Sequence, residues 1–309
     1  MIKVKKETGH FKSFDGTKIY YEVRGKGTPI IFCYGIGCLF NHWRHQIKYF
    51  SENGYKTIVF DYRAHHQSDV PEDHENLDME SLAKDIKGLT EHLKIKKAIF
   101  CSHSFGGQIM VKTFDLYPEI FSHLIFINGF ISNPIKGMFG GDVPAKVFNF
   151  FNRGYDLLPE TLTYLWKFSV QNPLAIPLSA LAGGFNLSLT SIKDIEIYIK
   201  GIANLDLQSF LALFEQMMEY DGHQVLKRIN VPTLIIGGKN DGVTPVSYQE
   251  ELHRSIKDSE LSMIPMGSHC TQLDLPDYVN LKIEKFIQTH KVKKPRVKRA
   301  PKDEVSKEI

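Results

Sequence analysis

The chain has 309 residues, 42% hydrophobic and 24% charged, an ordinary globular balance that can bury a large core. Its net charge of +3 sits at its end: residues 291–309 hold eight Lys or Arg against three acids, a net of +5, which leaves the rest at −2 and excludes a folded nucleic-acid surface. The four cysteines (Cys33, Cys38, Cys101, Cys270) form no Cys-x-x-Cys pair, which excludes zinc-ribbon and thioredoxin-like readings, and no apolar stretch of about 18 residues marks a membrane span.

In chain order, Lys18–Val23 reads as a strand closed by Arg24-Gly25-Lys26-Gly27. Residues Pro29–Tyr34 form a continuous apolar run, the pattern of a strand buried on both faces. Trp43, Ile47 and Phe50 then recur at helical spacing, and Lys56–Asp61 is a second buried strand. Met79, Leu82, Ile86, Leu89 and Leu93 mark one face of an amphipathic helix. Ala98–Cys101 is a third buried strand, Phe105 to about Tyr117 a helix, and His123–Asn128 a fourth strand. Strands alternating with helices predict βαβ units and a mostly parallel sheet.

That rhythm stops near Phe130. Up to about Gly222 the pattern is helical and rich in Phe, Leu and Met, from Phe139, Phe148 and Phe150 to Phe210, Phe214 and Met217. It predicts an inserted helical cap whose apolar residues form its own core and its seam with the sheet, with some left to line an apolar pocket. The α/β rhythm returns at Pro232–Gly237 and Leu261–Pro265, with a last helix from Asp277 to Thr289. The expected organisation is a core of residues 1–130 and 223–290, a cap of residues 131–222 and a basic, disordered tail of residues 291–309. The tail is expected to be solvated; the alternative is weak attraction to anionic lipid headgroups, about 1 kcal/mol per basic residue. The sequence carries no signal of oligomeric state. No apolar segment follows the basic start Met1–Lys6, so no signal peptide is expected. Cys33 and Cys101 sit in buried runs as free thiols would, so the expected compartment is reducing and cytoplasmic.

Ser104, in Cys101-Ser102-His103-Ser104-Phe105-Gly106-Gly107, follows a buried strand and opens a helix. A serine in that sharp turn projects its hydroxyl above the carboxyl edge of a sheet, and the turn needs small residues two positions to either side. Here these are Ser102 and Gly106. Serine needs an adjacent base, and the base needs an orienting acid. Asp241 lies just past the strand ending at Gly237, and His269 just past the next one. Serine, aspartate and histidine in that order, each at a strand end, make a three-point match.

With these residues the chain resembles the α/β-hydrolase superfamily over residues 10 to 290. The resemblance is carried by Tyr34-Gly35-Ile36-Gly37, Asp61-Tyr62-Arg63-Ala64-His65-His66-Gln67-Ser68, the Ser104 segment, Gly238-Lys239-Asn240-Asp241 and Gly267-Ser268-His269. It is similar to small esterases and lipases with a helical cap. The resemblance implies Ser104 as nucleophile, His269 as general base and acid, and Asp241 as its orienting acid. It also implies the backbone N–H groups of Ile36 and Phe105 as the oxyanion hole. The chain departs from the family pattern where Tyr34 replaces the usual His, and where Ala64 and His66 replace glycines. Haloalkane dehalogenases and epoxide hydrolases of this superfamily carry Asp at the nucleophile position, so Ser104 argues against both. Some members place their acid where Asn128 stands, and an amide cannot serve there.

The expected activity is hydrolysis of a neutral, hydrophobic carboxylic ester through an acyl-enzyme, with a small-molecule ester as partner. Alternatives on the same triad are carbon–carbon bond hydrolysis, acyl transfer and perhydrolysis; a non-catalytic ligand-binding fold is the alternative from another class. No cofactor is expected. No metal is expected either, since no His-Glu-x-x-His motif occurs and the remaining histidines read as polar loop residues.

Overall fold

The computed structural model describes residues 4–135, 143–175, 177–178 and 184–290. The expected tail (291–309) and Phe139 lie outside the described residues.

Eight strands form one sheet: β1 (Lys6–Lys12), β2 (Lys18–Gly25), β3 (Thr28–Cys33), β4 (Tyr55–Phe60), β5 (Ala98–His103), β6 (Phe121–Ile127), β7 (Thr233–Gly238) and β8 (Glu260–Ile264). Their order is β1-β2-β4-β3-β5-β6-β7-β8. β1 and β2 join antiparallel at one edge, and every pairing from β4 to β8 is parallel. The apolar runs of β3 and β5–β7 occupy the centre, where every residue of β5 and β7 is buried. Helices on both faces demand that composition.

One helical layer holds α1 (Arg44–Glu52) and α11 (Pro276–Thr289), which pack on each other. The other holds α2 (Met79–His92), α3 (Gly106–Leu116), α8 (His223–Leu226) and α9 (Val246–Ser255). α2 is capped by Asp78, whose carboxylate accepts from Ser81 N–H, and it buries Met79, Leu82, Ile86 and Leu89 as the spacing predicts. At its far end α11 returns to the amino side of the sheet, where His123 Nε2 of β6 donates to the His290 carbonyl at 2.9 Å.

Between β6 and β7 lie α4 (Val143–Tyr155), α5 (Pro159–Gln171), α6 (Ile192–Ala203) and α7 (Leu207–Glu219); α10 (Thr271–Asp274) follows β8. Phe148, Leu162, Leu205, Leu207, Phe210 and Leu211 form a small separate core, whereas Leu213 and Met217 of α7 join the main one. Val147, Phe150, Leu157, Leu158, Leu165 and Phe168 are exposed and belong to neither, which corrects the expectation that such residues form core, seam or pocket. Four elements go beyond the predicted set: β1, a mostly exposed edge strand that buries only Phe11, α9 between β7 and β8, and the single-turn helices α8 and α10.

Candidate active site

Ser104 leaves β5 with φ of 54°, in the left-handed region that non-glycine residues rarely adopt. Its N–H donates to Ile127 O at the end of β6, and α3 begins two residues later. Gly106 is required by space: a Cβ there would stand 2.5 Å from the Cys33 carbonyl oxygen and 2.7 Å from that of Tyr34. Ser102 fits at the other small position, fully buried, its hydroxyl donating to Ile125 O.

The structure brings Ser104, His269 and Asp241 together. His269 Nε2 lies 3.0 Å from Ser104 Oγ, and His269 Nδ1 lies 2.9 Å from Asp241 Oδ2. All three side chains are buried. The carboxylate can only accept, so Nδ1 carries the proton and Nε2 accepts from the serine hydroxyl. Asp241 is fixed in turn. Its Oδ1 accepts from the N–H groups of Val243 and Thr244, both at 2.8 Å, and its Oδ2 from Thr244 Oγ1 at 2.7 Å. Thr244, absent from the sequence prediction, lies 3.2 Å from His269 Nδ1 as well. The Asp241-Gly242-Val243-Thr244 turn, an acid with a hydroxyl three residues on, is the signal that could have found it.

Phe105 follows Ser104 directly, and Ile36 lines the same cavity as Ser104. Gly35 packs so closely that a Cβ there would come within 3.1 Å of Ser104 Cβ. The departures from the family pattern join in holding this loop. Gly37 N–H donates to His65 Nε2 at 3.3 Å, while His66 Nε2 donates to the Cys38 carbonyl at 2.9 Å. Tyr34 Oη accepts from Tyr62 N–H, and Tyr62 Oη donates to the Tyr34 carbonyl. Ala64 and His66 adopt φ of 58° and 47°, so the chain keeps the backbone that glycines would take without strain. Arg63, fully buried, secures the same turn through Asp85 at 2.7 Å and Asp15 at 2.9 Å.

His42, His65 and His103 are buried, which corrects their reading as polar loop residues. Burial pushes His42 and His65 down to about 3 and His103 well below the usual imidazole range, so all three are neutral. His103 Nε2 donates to the His269 carbonyl at 2.9 Å. Among the described residues, one group could offer ligands to a metal: His42, His103 and Cys270, with ligand atoms within 4.8 Å of one another. A tetrahedral zinc wants its donors roughly 3.5 Å apart. Burial holds the Cys270 thiol well above its usual range, protonated, which opposes binding a cation there.

The serine opens on a cavity of about 220 Å³. Ile36, Phe130, Val243 and Cys270 line it from the sheet side, and Phe185, Tyr198, Phe214 and Met217 from the insertion. Among the described residues, no Lys, Arg, Asp or Glu lines it.

A profile of the α/β hydrolase fold matches residues 28–276. The chain belongs to the α/β-hydrolase family. This α/β-hydrolase enzyme is 26% identical over 287 residues to epoxide hydrolase 4 of Mus musculus, covering 88% of this chain and 77% of that one. It is 25% identical over 282 residues to a non-heme haloperoxidase of Rhodococcus erythropolis, covering 89% and 97%. Among solved structures it is similar to an esterase from Exiguobacterium antarcticum, with a TM-score of 0.69, 21% identity, and 90% and 98% of the two chains covered. Among the described residues, no helix is long and apolar enough to cross a membrane.

Proposed function

We propose that this α/β-hydrolase is a serine hydrolase that cleaves a neutral, hydrophobic carboxylic ester through an acyl-enzyme. The observation that carries this reading is the continuous chain from Ser104 Oγ through the His269 ring to Asp241 Oδ2, at 3.0 and 2.9 Å, opening on a cavity that no charged side chain lines among the described residues. Ser104 Oγ attacks the ester carbonyl carbon while its proton passes to His269 Nε2. The Ile36 and Phe105 N–H groups receive the charge on the carbonyl oxygen. The ester C–O bond breaks, and the leaving alcohol takes the proton from His269. A water, deprotonated by the same nitrogen, then attacks the acyl-serine; the acyl bond to Ser104 Oγ breaks, His269 returns the proton to that oxygen, and the acid leaves. Asp241 keeps the imidazole in the required tautomer throughout.

The named epoxide hydrolase relative does not draw the reading toward epoxides, because the nucleophile position carries a hydroxyl where those enzymes of the superfamily carry a carboxylate. The segment between β6 and β7 acts as the cap, supplying the apolar wall that selects the acyl or alkoxy group. The four buried free thiols support a reducing, cytoplasmic setting.

The test is labelling with a fluorophosphonate probe together with turnover of a nitrophenyl ester series. Wild type is expected to label, and Ser104→Ala to lose both labelling and turnover, the latter by a factor of about 10⁴ or more. A wild type that does not label, or an alanine variant that keeps its turnover, would sink the reading.

A further inference from the structure

Asn128 occupies the strand end that the resemblance left without a role. Its side chain is fully buried and makes contacts in two directions. Nδ2 lies 2.5 Å from the His269 carbonyl, 2.8 Å from the Ser268 carbonyl and 3.0 Å from Thr271 Oγ1. Oδ1 accepts from Gly238 N–H, at the end of β7, at 2.8 Å. This fixes the amide's orientation, since an N–H must meet the oxygen and the two carbonyls must meet the nitrogen. The backbone takes part too. Asn128 O lies 3.2 Å from Thr244 Oγ1, the hydroxyl that donates to Asp241, while the preceding Ile127 O accepts from Ser104 N–H. The chain between β6 and the insertion therefore touches the loops of all three proposed triad members.

We infer that Asn128 is a positioning residue for the proposed hydrolysis: its carboxamide holds the backbone of His269 at the distance from Ser104 and Asp241 that proton transfer needs. The inference rests on the serine-hydrolase reading and extends it to a residue that touches no reacting atom. Three features make asparagine the fitting residue. Its φ is 46°, a conformation asparagine tolerates better than most residues. The site needs a donor toward two carbonyls and an acceptor toward one N–H, and a carboxamide supplies both. Aspartate has the same shape but, when ionised, would set a carboxylate against the Ser268 and His269 carbonyl oxygens. The neutral donor thus stands where a second acid would misplace the base.

The experiment compares Asn128→Ala and Asn128→Asp with Ile283→Ala, a buried α11 residue serving as a stability match. Both Asn128 variants are expected to lower kcat about 100-fold, the usual scale for misplacing a catalytic group by about 1 Å, with KM within about twofold. Fluorophosphonate labelling should slow by the same factor, and Asn128→Asp should be at least as slow as Asn128→Ala. Ile283→Ala should lower Tm while leaving kcat and labelling unchanged. A folded Asn128 variant within threefold of wild type, or one no slower than Ile283→Ala at equal Tm, overturns the inference. Should neither Asn128 variant fold, Thr271→Val removes the hydroxyl between Asn128 Nδ2 and the Ser268 carbonyl. Its kcat should then fall about tenfold, and a kcat within twofold of wild type overturns the inference. A wild type that fails to label points to the serine reading instead, whereas a labelled wild type with equally labelled variants removes Asn128 alone.

Discussion

The carboxyl edge of the sheet and the helical insertion face each other across the cavity, and different forces hold them. At the edge, polar groups are buried and paired: Arg63 with two aspartates, Asp241 with four donors, the Asn128 amide with four partners. In the insertion the contacts are mainly apolar and aromatic, such as Phe148 on Phe214 at 5.0 Å and Trp166 on Phe210 at 4.7 Å. Hydrogen bonds are directional, and in a low-dielectric site they fix atoms to within tenths of an ångström. Apolar packing is non-directional and tolerates exchange of shape. Under the proposed hydrolysis, bond-making falls to the edge and choice of substrate to the insertion.

The hardest blow to that division is Asp241→Asn. It should reduce kcat by about 10⁴, because the imidazole loses the partner that fixes its tautomer, while the cavity stays unchanged. Turnover above a tenth of wild type would mean that the edge does not govern the chemistry. A middle-sized effect is expected across the cavity. Met217→Ala or Phe214→Ala should raise the kcat/KM ratio of long-chain over short-chain nitrophenyl esters about tenfold, the scale of a few methylenes in an apolar pocket. Labelling of Ser104 should stay within about threefold. An unchanged chain-length profile would deny the insertion its selecting role.

The smallest effect is on stability, and it belongs to the edge. Burial, with the Glu22 charge adding to it, raises Asp61 to about 7, against hydrogen bonds from Gln67 N–H and Tyr34 that lower it. The unfolded chain ionises it near 3.8, so between these values the folded state holds the extra proton. Stability from this group therefore declines as pH rises toward 7 and stays low above it. The neutral His42 and His65 act oppositely, costing stability as pH falls below about 6.5. Comparing variants isolates the carboxyl: the Tm of Asp61→Asn relative to wild type should climb by a few degrees from pH 5 to pH 8. A constant difference would show that Asp61 is ionised throughout.

The central strands and the Ser104, Asp241 and His269 positions were legible because each depends on local pattern, a buried apolar run ending in a turn. β1 was not, since an exposed edge strand with one buried residue has no alternation to read. Asn128 was noticed only as a missing carboxylate. Its partners lie 110 and more positions further along the chain, and no local spacing announces them. Tyr34 and His66 stand far apart in the sequence as departures from the family pattern, with His65 between the two altered glycine positions. They make sense together, since the extra side chains hold a loop that glycines would leave to backbone geometry alone.

The bond from His123 to the His290 carbonyl ties the end of α11 to β6. That point lies on the amino side of β6, roughly 16 Å along the strand from Asn128 at 3.3 Å per residue. His290 and the cavity thus lie at opposite ends of β6, so a fusion partner joined directly at His290 would begin on the side of the sheet away from the cavity.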